Sequence, residues 1–238
     1  MTSASIAYCG LPPTPADLAL AWNLDPPLVL GLAFVGYAVA RHAADRTAGW
    51  TAWALLVLVF VSPLCALTAA LFSARVLHHV VLIALAAPLL VRAFPGRRLP
   101  ALPAGAIFVA HWAVLWLWHA PVAYAWALDS VGGYWLMQAT LLGSAWLLWR
   151  EVLLGGTGRA LALLAGTVGQ MGLLGALLVF APEPLYLVHL ATTGPWGLAP
   201  LADQQLAGLT MWVPAMLPYF AVAMRRGWSE LGEAERVR

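Results

Sequence analysis

Lysine is missing from this chain, and charged residues of any kind fill only 9% of its 238 positions. A water-soluble domain is about 25% charged and about 45–50% apolar. At 63% hydrophobic, this chain has too little polar surface to cover a globule in water. Only two cysteines are present, and neither a CxxC nor an HxxxH spacing occurs, so the close-spaced metal motifs are excluded. No glycine pattern of the phosphate-binding kind follows a strand-like segment. No nucleophile stands out with an accompanying base, and the chain reads as a non-enzyme. The residues before the first apolar run lack a basic stretch and a small-residue cleavage site, so no cleavable signal peptide is expected. The 12 basic residues are all arginine and are spread over several loops, which argues against a nucleic-acid face.

What is present is grouped. A membrane-spanning helix needs roughly 20 mainly apolar residues, and seven such runs can be read. They are Pro27–Val39 (extended by its Arg/His end toward Ala44), Trp50–Phe72, Val76–Phe94, Ala101–His119, Gly133–Leu153, Ala160–Phe180 and Leu206–Met224. The first has the shortest apolar core. The expected fold is an all-α polytopic membrane protein, a single domain over 1–238 forming a seven-helix bundle. Residues 1–26 and an outer loop at 181–205 lie outside, and a tail at 226–238 is cytoplasmic.

Orientation follows from the arginines, because cytoplasmic loops retain Lys and Arg. Arg41, Arg46, Arg92, Arg97, Arg98, Arg150, Arg159, Arg225, Arg226, Arg236 and Arg238 fall on one side, and Arg75 alone on the other. The arginine-rich side is therefore cytoplasmic and the N-terminus outside. Pro63, Pro88, Pro214 and Pro218 sit inside apolar runs, where each should bend its helix and free a carbonyl. Gly166, Gly169, Gly172 and Gly175 mark the sixth run as a closely packed interior helix.

Polar groups inside a bilayer are costly and usually face the bundle interior. Because successive helices alternate in direction, many of them fall at one level here. Cys65 ends the second run; Arg75, His78 and His79 open the third; His119 closes the fourth, with Tyr124 just beyond. Gln138 lies in the outer half of the fifth, Asp203, Gln204 and Gln205 begin the seventh, and Met211 is two turns deeper. A polar pocket at the outer interface is expected. Arg75, an exception to the charge rule, would pair with Glu183, Asp203 or an anionic ligand, or reach lipid phosphate. Cys65, His79, His119, Met211 and Cys9 are the donors that would hold Cu(I), since imidazole, thiol and thioether suit that ion. The bland reading, hydrogen-bonded interior histidines, weighs as heavily. Cys9 and Cys65 both fall outside, where either a disulfide or a copper-binding thiol pair is allowed. His111, in mid-helix, has a neighbouring helix as its plain partner. The tryptophans on helices, Trp112, Trp116, Trp146 and Trp149, read as packing or lipid-facing residues.

Four motifs stand out: Ser62-Pro63-Leu64 with Leu71-Phe72-Ser73-Ala74 and His79; Trp116-Leu117-Trp118-His119-Ala120-Pro121 with Tyr124; Phe180-Ala181-Pro182 with Pro184-Leu185-Tyr186; and Asp203-Gln204-Gln205-Leu206-Ala207-Gly208 running into Met211-Trp212-Val213-Pro214. Together they resemble the membrane-integral CtaG family of cytochrome c oxidase assembly factors. Trp22, Asp25 and Pro26 also fit. The resemblance implies seven helices in a bacterial inner membrane, partnership with oxidase subunits or other assembly factors, and handling of copper without catalytic turnover. The chain departs from the family pattern at Arg75, where that pattern has a histidine, at Met137 and Gln138 in place of a Glu-His pair, and at Cys65 in place of an acid. Either the ligand set shifts toward soft donors such as Cys65, His79 and Met211, or metal binding is reduced. Two other classes stay open: a copper transporter using His111, Gln170 and Met171, and a membrane-bound haem or quinone redox protein.

Overall fold

The computed structural model describes residues 7–96 and 102–236. Arg97, Arg98, Ala101 and Arg238, together with the side chains of Glu233, Glu235 and Arg236, lie outside the described residues. The regular elements among the described residues are all helical. In chain order they are α1 (Pro26–His42), α2 (Arg46–Phe60), α3 (Pro63–Ala70), α4 (Phe72–Val80), a π-helical turn (Val81–Ala86) and α5 (Ala87–Ala93). Then follow α6 (Ala104–His119), α7 (Pro121–Asp129), α8 (Val131–Leu154), α9 (Thr157–Phe180), α10 (Pro200–Trp212) and α11 (Leu217–Arg236).

Among the described residues three helices are long and apolar enough to cross a membrane: Phe72–Ala93, Thr157–Phe180 and Pro200–Glu230. The count is five if two bent pairs are single spans, α2–α3 bent by 47° and α6–α7 by 74°. Both bends fall at prolines, and the groups each one frees can be followed. Pro63 begins α3 with Ser62 as its N-cap, whose Oγ accepts from the Leu64 N–H. The Phe60 and Val61 carbonyls left behind are taken by Asn23, through its side-chain amide (3.1 Å) and its backbone N–H (2.9 Å). At Pro121 the His119 carbonyl accepts from the Tyr186 hydroxyl at 2.7 Å. Non-helical backbone survives at membrane depth only when such partners exist.

Pro88 acts differently. The π-helical turn before it pairs the Ala87 N–H with the Leu82 carbonyl, five residues back. The next carbonyl in that register, Ile83, would need an N–H that Pro88 lacks. Trp149 of α8 supplies it instead, donating from Nε1 at 2.8 Å, and its ring stacks on Tyr219 with centroids 4.9 Å apart. Trp149 is a fully buried packing residue with a specific donor role.

Close packing by small residues is concentrated at one crossing. A Cβ on Gly208 of α10 would stand 2.6 Å from the Gly175 carbonyl oxygen of α9, and one on Gly175 would stand 2.9 Å from the Gly208 oxygen. The two backbones touch, which only glycine at both positions permits. Gly166 faces Phe108 and Gly172 faces Met216, whereas Gly169 meets nothing.

The arginines gather with acids at the ends of helices. Asp45 accepts from the Ala48 N–H at the start of α2 and from Arg92 at 2.6 Å; these contacts, the backbone N–H foremost, hold its carboxyl below the usual range. Glu151 lies 3.4 Å from Arg150 and 3.5 Å from Arg159, and Arg226 donates to the Val152 carbonyl. At the other end of the helices lie the N-terminal segment and the loop before α10. That loop consists of two short 3₁₀ turns, Leu187–His189 and Gly194–Trp196, and is fixed by Thr192 donating to the Ala70 carbonyl and Trp196 donating to the Pro13 carbonyl.

Candidate functional site

At the end of the bundle that holds this loop, α4 begins with Leu71 as its N-cap, a residue with no side-chain acceptor. Its first N–H groups are capped from 130 residues away. The Asp203 carboxylate of α10 accepts from the Phe72 N–H at 2.7 Å, from the Ser73 N–H at 3.2 Å and from the Ser73 hydroxyl. Asp203 is 1% exposed, so its charge is held by these donors and by the positive end of the α4 dipole. The next two residues serve the opposite helix terminus. Gln204 donates to the Leu178 carbonyl and accepts from the Leu185 N–H, while Gln205 donates to the Val179 carbonyl. The Asp-Gln-Gln motif therefore ties the start of α4 to the end of α9.

The helix so anchored carries a buried cation. Arg75 is 1% exposed, and neither its Nε nor its Nη1 has a hydrogen-bond partner among the described residues. Its guanidinium carbon sits 5.4 Å from the ring centre of Tyr134, and its charge reaches His78, His79, His189, Tyr124 and Tyr134. The expected ion pair with Glu183 or Asp203 does not form: Glu183 is exposed, Asp203 is committed to the α4 terminus, and the described ion pairs do not include Arg75.

Around Arg75 the structure assembles most of the residues expected to converge. The His79 and His119 ring centres are 6.3 Å apart, and those of His78 and His79 5.6 Å apart. His119 Nδ1 faces the Leu115 carbonyl at 2.7 Å and so must carry the proton, leaving Nε2 with the lone pair. Neither nitrogen of His79 has a hydrogen-bond partner among the described residues, while the His78 ring lies by the Val59 backbone. Cys9 and Cys65 are joined as a disulfide, with the Tyr134 hydroxyl 3.6 Å from Cys9 Sγ and 3.8 Å from Cys65 Sγ. With each sulfur bonded to the other, neither cysteine offers a thiolate. Met211 is buried on α10. Gln138, one turn after Tyr134 on α8, lies on the wall of a groove against α1 and α2 whose lining includes Phe60, itself edge-on to His78 with ring centres 5.2 Å apart. Among the described residues no group of three His, Cys, Asp or Glu side chains has metal-holding geometry.

Sequence reasoning missed several members. Phe72 stacks on Tyr186 with centroids 3.7 Å apart and stands edge-on to Tyr124, and Tyr134 joins the disulfide to the cation. Phe72 and Tyr186 entered only as members of the family-like motifs, and aromatic residues are so abundant in the apolar runs that nothing singles out Tyr134. His111, as expected, meets a neighbouring helix, with Nδ1 3.0 Å from the Ser144 hydroxyl.

His189, in the outer loop, faces the Tyr124 hydroxyl through Nε2 at 2.8 Å and Thr192 through Nδ1 at 3.4 Å. Burial foremost, and then the Arg75 charge, pull its pKa down to about 4. An unfolded histidine takes up its proton near pH 6.5, so between about pH 6.5 and 4 the undocked state binds more protons. The docked loop therefore loses stability as the pH falls through that interval. Amide exchange over residues 187–196, corrected for intrinsic rates, should show faster opening at pH 5 than at pH 7. The difference should vanish in His189→Gln, and equal protection at both pH values in the wild type would refute the assignment.

The model of the cytochrome c oxidase caa3 assembly factor family (Caa3_CtaG) matches residues 32–229. The chain belongs to that family. The match runs from α1 into α11 and takes in Arg75, His78, His79, His119, Tyr124 and Asp203. Comparison with curated proteins found no match, and comparison with solved structures found none.

Proposed function

We propose that this chain is a seven-span inner-membrane protein that assists maturation of a caa3-type cytochrome c oxidase from the outer face of the membrane. Membership of the assembly-factor family carries the reading. The seven spans are the three long helices, the two bent pairs, α1 and α8. The eleven-to-one division of arginines supports a cytoplasmic C-terminus; on that orientation Arg75, His78, His79, His119 and the disulfide lie under the periplasmic surface. A buried polar cluster at that level suits contact with a client subunit or its cofactor, since ionisable groups are kept inside a membrane at a cost only where they act.

Copper enters this reading as cargo. With the sulfurs bonded to each other, the remaining donors are the Met211 thioether and imidazoles beside the guanidinium of Arg75, which repels a cation. The residues present suit Cu(I) only in the reduced protein, where Cys9 and Cys65 would supply two soft donors. The transporter alternative rests on few deep polar groups, Gln170, whose Oε1 accepts from Trp116 at 3.2 Å, and His111, whose Nδ1 lies 3.0 Å from the Ser144 hydroxyl.

Deletion of the gene should remove most oxidase activity along with the oxidase's copper signal, and the wild-type gene should restore both. Unchanged activity and metal content in the deletion strain would exclude the assembly role. Metal analysis after reduction, comparing wild type with Cys65→Ala, tests the copper component: about one Cu(I) per chain is expected, with loss in the variant.

A further inference from the structure

Beside the polar cluster, a groove of about 410 Å³ runs between α1, α2 and α8. It follows α1 from Leu28 to Val35, about 10 Å at the rise of a helix, in the half of the bundle nearest the disulfide. No charged residue lines it. Phe60 and Trp135 form part of the wall, with ring centroids 5.5 Å apart and planes within 28° of parallel. The one polar side chain in the lining is Gln138. It is 2% exposed, and neither its amide nitrogen nor its amide oxygen has a hydrogen-bond partner among the described residues. A buried amide with both ends unmatched is unfavourable, and in native proteins such groups are rare enough to ask for a reason.

We propose that this groove binds a neutral membrane-soluble quinone, a flat carbonyl-bearing ring on a long apolar tail, with one ring oxygen hydrogen-bonded to the Gln138 amide. The apolar lining accepts the tail, and the Phe60–Trp135 pair offers an aromatic wall to the ring. The amide can donate to a quinone carbonyl through its nitrogen or accept from a quinol hydroxyl through its oxygen, so both oxidation states are matched. An acyl chain alone would leave the amide unmatched, and a phospholipid headgroup would find no charge to meet it. A site of this kind, mostly apolar with one placed polar group, is the usual composition of small-ligand pockets. The proposal does not rest on the assembly reading.

The full chain in phosphatidylcholine nanodiscs, titrated with a decyl-benzoquinone, tests it. Saturable binding of one quinone per chain is expected. Gln138→Leu, which keeps the bulk and removes the amide, should weaken it at least tenfold, because a site built around a hydrogen bond discriminates strongly. Gly31→Leu should abolish it by filling the groove; Gly31 lines the groove, and a Cβ there meets nothing within 4 Å. Circular dichroism melts check folding, and if Gln138→Leu does not fold, Gly31→Leu decides. Non-saturable uptake equal in all three proteins would overturn the proposal. So would saturable binding indifferent to both substitutions, or displacement of the quinone by dodecane as readily as by unlabelled quinone.

Discussion

Asp203→Ala should destabilise the protein by about 4 kcal/mol. The substitution strands two buried N–H groups, those of Phe72 and Ser73, together with the Ser73 hydroxyl. Each buried donor left unmatched costs about 1–3 kcal/mol, and the start of α4 loses the negative charge that complements its dipole. Asp203→Asn keeps an acceptor oxygen without the charge and should recover roughly half of the loss. Unfolding in mixed micelles, followed by the near-ultraviolet signal of the buried tryptophans, measures both variants. An Asp203→Ala protein within about 1 kcal/mol of wild type would show that the cap is not what holds α4 to α10.

Arg75→Met is expected to separate stability from function. A buried guanidinium whose Nε and Nη1 have no partner and which forms no ion pair among the described residues is compensated only by the Tyr124 and Tyr134 hydroxyls, too little to cover the cost of burying the charge. Replacing buried ionic groups by apolar side chains of similar size is often neutral or stabilising by about 1–4 kcal/mol. The variant should therefore melt no lower than wild type and yet support oxidase maturation no better than the deletion strain. Tyr134 would lose its cation–π contact, worth about 1 kcal/mol, too little to reverse the sign. A loss of more than about 3 kcal/mol would mean that Arg75 is a structural cation, and the client-facing role of this cluster would have to be given up.

The apolar runs and the positions of their breaks were legible in the sequence because both rest on local chemistry: hydropathy over some twenty residues, and proline's missing N–H. The convergence of Arg75, His79 and His119 was legible too, since alternating helix directions bring sequence-distant ends to one level. Rotation about each helix axis was not. α8 is apolar on nearly every side, so nothing in its pattern showed that the face carrying Tyr134 and Gln138 is the one turned toward the disulfide and the α1 groove. α7 was hidden because Pro121–Asp129 looks like the continuation of a loop, although Pro121 is a good first residue for a helix. The role of Asp203 was hidden for another reason. A cap across 130 residues leaves no mark in either segment, only an acid in one and an uncapped helix start in the other. Cys9 and Cys65 stood open between disulfide and thiol ligands on sequence grounds, and the structure joins them.

α1 packs chiefly against α2, with Leu30, Phe34 and Tyr37 turned away from the bundle. A helix held along one flank behaves like a door on its hinge, and the N-terminal strap is its latch: Tyr8 donates to Asp25 at 2.6 Å just before α1, Asn23 is fastened to the Phe60 carbonyl, and Cys9 is bolted to Cys65. With that bond reduced, the strap would be held across the start of α1 by hydrogen bonds alone, none of them made by a side chain of α1 itself.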